Sequence, residues 1–268
     1  MAIDTKASQW GDACRARRAG TAGWIVGLVC WLASGHAALA QNSVGLGVGV
    51  VPEYPGAKDY HAVPVLQLSY ERGAFFVDTR DGLPALGLKT QLAPDWQAGV
   101  FAGLRMGRDA DDHDRLDGLD DIDAHATAGA FLRWQPGRWR LTTTVTQALH
   151  AGYGTRVELN GSYAVWQDSR NTVRLGAETT WGSHDDMSRW FGVTSAEAAR
   201  SDAGLGRYSA GAGFRSAGLY ANWRYAIDQK WSVFGTVGVR ALLGDARDSP
   251  IVERRTSPYG AVGVGYRF

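Results

Sequence analysis

Cysteine is nearly absent from this chain: only Cys14 and Cys30 occur, both in the first thirty residues, so from there on no disulfide, thiolate nucleophile or Cys-ligated metal is available. Charge of one sign is lacking too. With 28 basic against 27 acidic residues there is no electrostatic footprint for nucleic acid. Beyond residue 40 no apolar run approaches the ~20 residues a membrane-crossing helix requires. Proline (8) and methionine (3) are scarce, whereas glycine (35) and aromatics (11 Trp, 10 Tyr, 8 Phe) are abundant, which suits a β protein with many turns. A mean hydropathy of −0.22 does not exclude a membrane barrel, because only alternate residues of each strand meet lipid.

The N-terminal stretch sets the expected compartment. "RARR" at 15–18, the apolar "AGWIVGLVCWLA" at 22–33 and small residues ending at Ala40 read as a secretory signal, with Ala38-x-Ala40 as cleavage site and Gln41 as mature start. Twin-arginine export through Arg17-Arg18 and lipidation at Cys30 fit worse: the residues after the arginines are wrong, and Val29 is bulky where a small residue is needed. The expected division is therefore 1–40 signal peptide and 41–268 barrel domain. Cleavage removes four basic residues (Lys6, Arg15, Arg17, Arg18) and two acidic ones (Asp4, Asp12), leaving 24 against 25.

From there on, two-residue alternation runs almost end to end. In "RWRLTTTVTQAL", Trp139, Leu141, Val145 and Leu149 oppose Arg138, Arg140, Thr142, Thr144 and Thr146; in "RVELNGSYAVWQ", Val157, Leu159, Tyr163 and Val165 oppose Arg156, Glu158, Asn160 and Ser162. Ile122 through Trp134, Trp96 through Leu104, Val173 through Trp181, Ala217 through Tyr225 and Trp231 through Val239 repeat the scheme. A soluble sandwich can alternate likewise. Connection lengths decide: short turns at 71–73, 93–95, 136–137, 168–170 and 228–229 alternate with long loops at 52–59, 107–120, 182–207 and 244–255, the outer-membrane pattern. Trp96, Trp134, Trp139, Trp166, Trp223, Tyr225, Trp231, Tyr266 and Phe268 cluster by the short turns as an interfacial girdle. The predicted fold is all-β: a transmembrane antiparallel up-and-down β-barrel of about twelve strands (ten the alternative). Its last strand, "AVGVGYRF", pairs with the first, and Pro64 implies a bulge or distorted pairing in the second.

Several stretches resemble the MltA-interacting protein / OmpV family: "LGVGVVPEYPGAKDYHAVPVL", "LDGLDDIDAHATAGAF", "RWFGVTSAEAARS", "YSAGAGFRSAGLYANWRYAIDQKWSV" and "RALLGDARDSPIVE", in the last of which Gly244, Asp245, Ser249 and Pro250 keep the family's order. The resemblance implies a non-enzymatic scaffold that brings a lytic transglycosylase to a penicillin-binding protein at the peptidoglycan, with outer-membrane lipid, lipopolysaccharide and the barrel insertion machinery as further partners. It carries over no catalytic residue, cofactor or metal. Val264, Tyr266 and Phe268 look like the C-terminal signal that the insertion machinery reads.

Other chemistry is weakly supported. Residues 109–123 hold eight aspartates, but His113 takes the third calcium-ligand position of an EF-hand and no glycine follows it, so a solvated acidic loop is expected. None of His61, His113, His125, His150 and His184 stands in a hydrolase motif, and "GLGVGV" lacks a third glycine. Arg105, Arg133, Arg174, Glu178, Arg224 and Arg240, with His125, are expected in one lumenal network. Inward arginines would favour anions if a water path exists, making a narrow anion channel the first alternative function and a hydrolase at the barrel mouth the second, while the family resemblance also implies an osmoregulated or adhesive surface barrel as an alternative. In the loop at 182–207, Thr194 or Ser195 should start a short helix that lays Trp190 and Phe191 over the mouth.

Overall fold

The computed structural model describes residues 42–268; the expected signal segment and cleavage site, and both cysteines, lie outside the described residues. Twelve antiparallel strands close into a barrel in which each strand pairs with its sequence neighbours: β1(Ser43–Pro52), β2(Tyr60–Arg72), β3(Phe75–Arg80), β4(Leu83–Ala93), β5(Trp96–Arg105), β6(His125–Trp134), β7(Trp139–Ala148), β8(Thr155–Gln167), β9(Asn171–Gly182), β10(Gly213–Ala226), β11(Trp231–Leu242) and β12(Thr256–Arg267). The seam is antiparallel, from Ser43↔Arg267 to Val50↔Gly260. Both terminal strands thereby lose the open edge that would otherwise template aggregation.

The exterior is apolar. Leu46, Leu86, Leu88, Val100, Leu104, Leu141, Val145, Leu159, Leu175, Leu219, Val237 and Val262 all lie exposed around the wall, while Thr142, Thr144, Ser162, Asn222 and Thr236 from the alternate positions are buried. This inverts a soluble protein. It is stable only where lipid is the outer solvent and every ladder is closed. At the short-turn end the aromatics meet across strands: Trp96 against Trp134 (5.9 Å), Trp139 against Tyr163 (4.9 Å) and Trp231 against Tyr266 (4.9 Å). Two turns there share one device, an aspartate that accepts from the next backbone amides: Asp168 Oδ1 from Arg170 N (2.8 Å) and Asn171 N (2.7 Å), Asp228 Oδ1 from Lys230 N and Trp231 N (both 2.7 Å). The protein is an outer-membrane barrel, and the short-turn end is periplasmic.

Two expectations need correction. The register of β1 with β2 runs unbroken through Val48↔Pro64, and the irregularities fall elsewhere, at Gln91/Ala93, Ala164/Trp166 and Phe214/Ser216. The reason is that β3 has only six residues and pairs with β2 no further than Ser69↔Asp78. The Leu68 amide points to the β3 side, donating to Thr79 Oγ1 (2.8 Å). An amide at Pro64, an even number of residues along, would point the same way but above the end of the β3 ladder, so the missing N–H forfeits nothing. The β3–β4 connection is the tight pair Asp81-Gly82, with φ of 48° and 77°, the left-handed geometry of a two-residue hairpin. The second correction concerns Ile122: it does not begin a lipid-facing strand but is buried, bridged to Arg108.

Glycines admit the inward aromatics. A Cβ on Gly176 would lie 2.2 Å from Tyr220 Cζ, so the ring occupies the space a side chain would take. Gly176→Ala should cost roughly 1–3 kcal/mol by overpacking and Tyr220→Ala roughly 3–5 by truncation. Urea unfolding of the double variant should show a cost well below the sum of the two. Additive costs would mean that the clash is not what excludes a side chain at 176.

Candidate functional site

At the end opposite the short turns the loops fold over the mouth. They contribute α1(His184–Phe191), α2(Ser195–Arg200) and α3(Gly244–Asp248). Helix α1 is capped by Ser183, whose hydroxyl accepts from Asp186 N. For α2, Thr194 Oγ1 accepts from Glu197 N (3.2 Å) and Glu197 Oε2 from Thr194 N (2.7 Å), the reciprocal box that "TSAE" encodes. Tyr54, Leu116, Met187, Phe191, Val193 and Ile251 are each 2 % exposed or less and, with Tyr153, form one apolar core drawn from five loops. Polar bonds join the same loops. Ser249 Oγ donates to Phe191 O (2.6 Å), Tyr54 OH to Ile251 O (3.1 Å), Arg108 Nη1 to Trp190 O (3.2 Å) and Arg189 Nη2 to Asp121 O (2.6 Å). Asp245 Oδ2 accepts from Gly211 N (2.7 Å), so the "GDARDS" stretch pins the 182–212 loop to the β11–β12 loop. Burial, reinforced by Glu253, pushes the Tyr54 hydroxyl up and keeps it a neutral donor.

The acidic segment is a loop whose carboxylates face solvent, as expected, but its apolar residues are anchored. Ala110, Leu116, Leu119 and Ile122 are buried in the cap and His113 Nδ1 sits 2.9 Å from Glu53. Among the described residues no group of His, Cys, Asp and Glu is arranged to hold a metal. His125 meets Tyr153 edge-on at 4.7 Å and His150 stacks on the same ring at 4.1 Å, so the two flank a tyrosine.

Beneath the cap lies a polar chamber of about 110 Å³, lined among others by Asp81, Arg105, Arg156, Glu158, Glu178, Trp190, Arg215 and Arg240. Its charges are matched. Asp186 descends from α1, 1 % exposed, and accepts from Arg215 (2.8 Å) and Arg105 (3.4 Å); Asp81, at the β3–β4 tip, takes Arg156 on both oxygens at 2.7 Å; Arg156 also reaches Glu158 (3.3 Å), and Arg240 pairs with Glu178 (2.6 Å). Burial by itself would raise the Asp186 carboxyl, but the Arg215, Arg105 and Arg156 guanidiniums override it and hold it below the usual carboxylate range. The same balance, led among the cations by Arg156, lowers Asp81.

A second cavity of about 80 Å³ lies at the periplasmic end, bounded by Gln67, Glu71, Asp78, Arg80, Lys89, Gln97, Arg133 and Arg224 among others. Nearby, Arg80 rests over Phe101 (4.0 Å to the ring centre) and Phe131 (4.9 Å), inside a small apolar cluster with Phe76 and Ala85. The six residues expected in a single network are therefore divided: Arg105, Glu178 and Arg240 join the upper chamber, whereas Arg133 and Arg224 line the lower cavity and Arg174 donates to Arg138 O (3.3 Å) near the periplasmic turns. Sequence alternation does not reveal Asp81 and Asp186, which lie in a turn and a loop helix, or Arg80 and Arg215, which sit at the loop-proximal ends of β3 and β10. Val264 and Phe268 point outward and stay about half exposed or more, and Phe268 N donates to Asn42 O (3.0 Å) across the seam.

A model of the family described as MltA-interacting protein MipA matches residues 44–268. The chain is 28% identical over 233 residues to the MltA-interacting protein of Escherichia coli (strain K12), covering 84% of this chain and 90% of that protein, and matches the Shigella flexneri protein of the same name equally. Similar solved structures include the NanC porin (9% identity, TM-score 0.48, covering 85% of this chain and 100% of that one) and an outer-membrane channel from Pseudomonas putida F1 (12%, 0.41, 87% and 97%).

Proposed function

This chain belongs to the MltA-interacting protein MipA family, and from that premise we propose that it is a non-enzymatic outer-membrane scaffold which holds a lytic transglycosylase, with a penicillin-binding protein, at the peptidoglycan. The observation that carries the reading is the family match across nearly all the described residues, in a family named for a protein partner rather than a reaction. The cap supports it against the channel alternative, because an apolar plug across the outer mouth leaves the periplasmic face for function. That face consists of short turns such as Pro136–Gly137 and Asp168–Arg170. A stable partner buries about 800 Å² per side, so recognition has to span several turns around the ring. Lipid and lipopolysaccharide contact the apolar wall, and the outward row Val264, Tyr266 and Phe268 is the part the insertion machinery would engage.

Affinity capture from detergent-solubilised envelopes tests the reading. A lytic transglycosylase should be retained above the level on an unrelated barrel, and the scaffold should be abandoned if no murein enzyme is. In planar bilayers the intact protein should pass no current at high salt, while steady conductance would restore the channel.

A further inference from the structure

The two halves of the lumen differ in charge. In the upper chamber four carboxylates (Asp81, Glu158, Glu178, Asp186) face four guanidiniums (Arg105, Arg156, Arg215, Arg240), all in ion pairs. At the periplasmic end one wall neutralises itself through Arg80–Asp78 and Lys89–Glu71. The other wall does not. Arg140 on β7, Arg174 on β9 and Arg224 on β10 enter none of the ion pairs among the described residues. Arg140, 3 % exposed, donates only to the neutral Gln135 (3.1 Å), and its charged neighbours are Arg174, Arg133 and Arg224. Arg133 on β6 borders this wall, reaching Gln97 (3.4 Å), and has the carboxylates Asp78 and Glu71 as well as Arg80 among its charged neighbours. Between them β8 presents small side chains, with Arg140 in register with Ser162 and Arg174 with Ala164. Two buried donors at this end, Arg224 Nε and Gln67 Nε2, have no acceptor in the protein, and both residues line the lower cavity.

Arg140 is buried while Arg174 and Arg224 are half-buried, and packing like charges together where access to bulk water is limited is costly unless a counter-charge shares the space. We propose that the periplasmic half of the lumen is a binding site for a small soluble polyanion, its charges carried by carboxylates or phosphates, held by Arg140, Arg174 and Arg224 with Arg133 and Gln67. A guanidinium fork suits both oxyanions. Lipid headgroups lie outside the wall, whereas these side chains face the lumen, so the ligand enters from the periplasm. The cap makes the site a dead end, not a conduit. It stands independently of the scaffold reading, since no partner protein contributes to it.

The test uses the whole barrel in zwitterionic phosphatidylcholine nanodiscs at low ionic strength, titrated calorimetrically with citrate and, separately, with pyrophosphate. Saturable binding of either supports the site, and the preferred probe names its chemistry. Arg224→Gln and Arg140→Gln should each weaken the dissociation constant by about tenfold or more, while Arg254→Gln on the outer loop leaves it unchanged. Raising the salt should weaken binding steeply. A second readout needs no variant: the probe that binds should raise the wild-type unfolding temperature at low salt and not at high salt. Absence of binding and of that shift with both probes, or binding unaffected by both glutamine variants, overturns the proposal.

Discussion

Asp186→Ala should cost roughly 3–5 kcal/mol of stability and release the cap, because removing one member of a buried ion cluster leaves the others charged and unpaired. Two strands converge on this carboxylate: Arg105 from β5, 81 residues away in sequence, and Arg215 from β10. Trp190 lies beside both guanidiniums, at 4.9 and 5.6 Å, so the cluster is shut away from water by the helix that carries the aspartate. Urea unfolding followed by tryptophan fluorescence gives the energy, and proteolysis within α1 and α2 reports the cap. Replacing all three residues by apolar ones of similar size should recover most of the loss, since the penalty comes from orphaned charge rather than from a missing attraction. An Asp186→Ala protein that resists protease as well as the wild type would show that the cap is held by its apolar core alone.

The same carboxylate sets a pH dependence. Its folded pKa is depressed below the unfolded value of ~3.9, so the stability it contributes is fully present above about pH 4 and is lost as pH falls through the folded pKa. Asp81 acts in the same direction. Protease resistance of the cap should therefore hold from neutral pH down to the ordinary carboxylate range and fail only below it.

Phe234→Ala should cost a similar amount, roughly 3–5 kcal/mol, although it touches no charge. Phe234 on β11 is fully buried inside the barrel, and its ring lies where Cβ atoms on Gly45 and Gly263 would be, at 3.1 and 2.4 Å. Those glycines belong to β1 and β12, so one ring fills the inner face of the closing seam. Its loss leaves a void that backbone on both sides is too constrained to fill. Urea unfolding should show the drop, and Phe234→Leu, which keeps much of the volume, should lose markedly less. Equal losses for the two variants would refute the packing explanation.

How much of this could be read from residues in order is clear from particular elements. The faces of β7 and β8 were legible, because side-chain direction in a strand repeats every two residues and needs no partner to define it. The girdle at Trp96, Trp139 and Trp231 and the helix start at Thr194 were legible for the same reason: each is a local signal. Arg105 and Arg240 could be placed on the inner face, but not assigned to a chamber different from that of Arg224. That assignment depends on the stagger of the strands as the barrel closes.

The sequence by itself determined the class of the molecule: an alternating, glycine-rich and aromatic-rimmed chain with unequal connections has one stable solution, a closed barrel in lipid. Only the tertiary structure decided that five loops share an apolar core across the outer mouth, that β3 stops at six residues, that Asp81 and Asp186 neutralise upper arginines, and that Arg140, Arg174 and Arg224 enter no ion pair among the described residues. Alternation has a range of two residues, whereas Asp81 meets Arg156 across 75 and Tyr54 meets Ile251 across 197, distances bridged by ring closure and by nothing local.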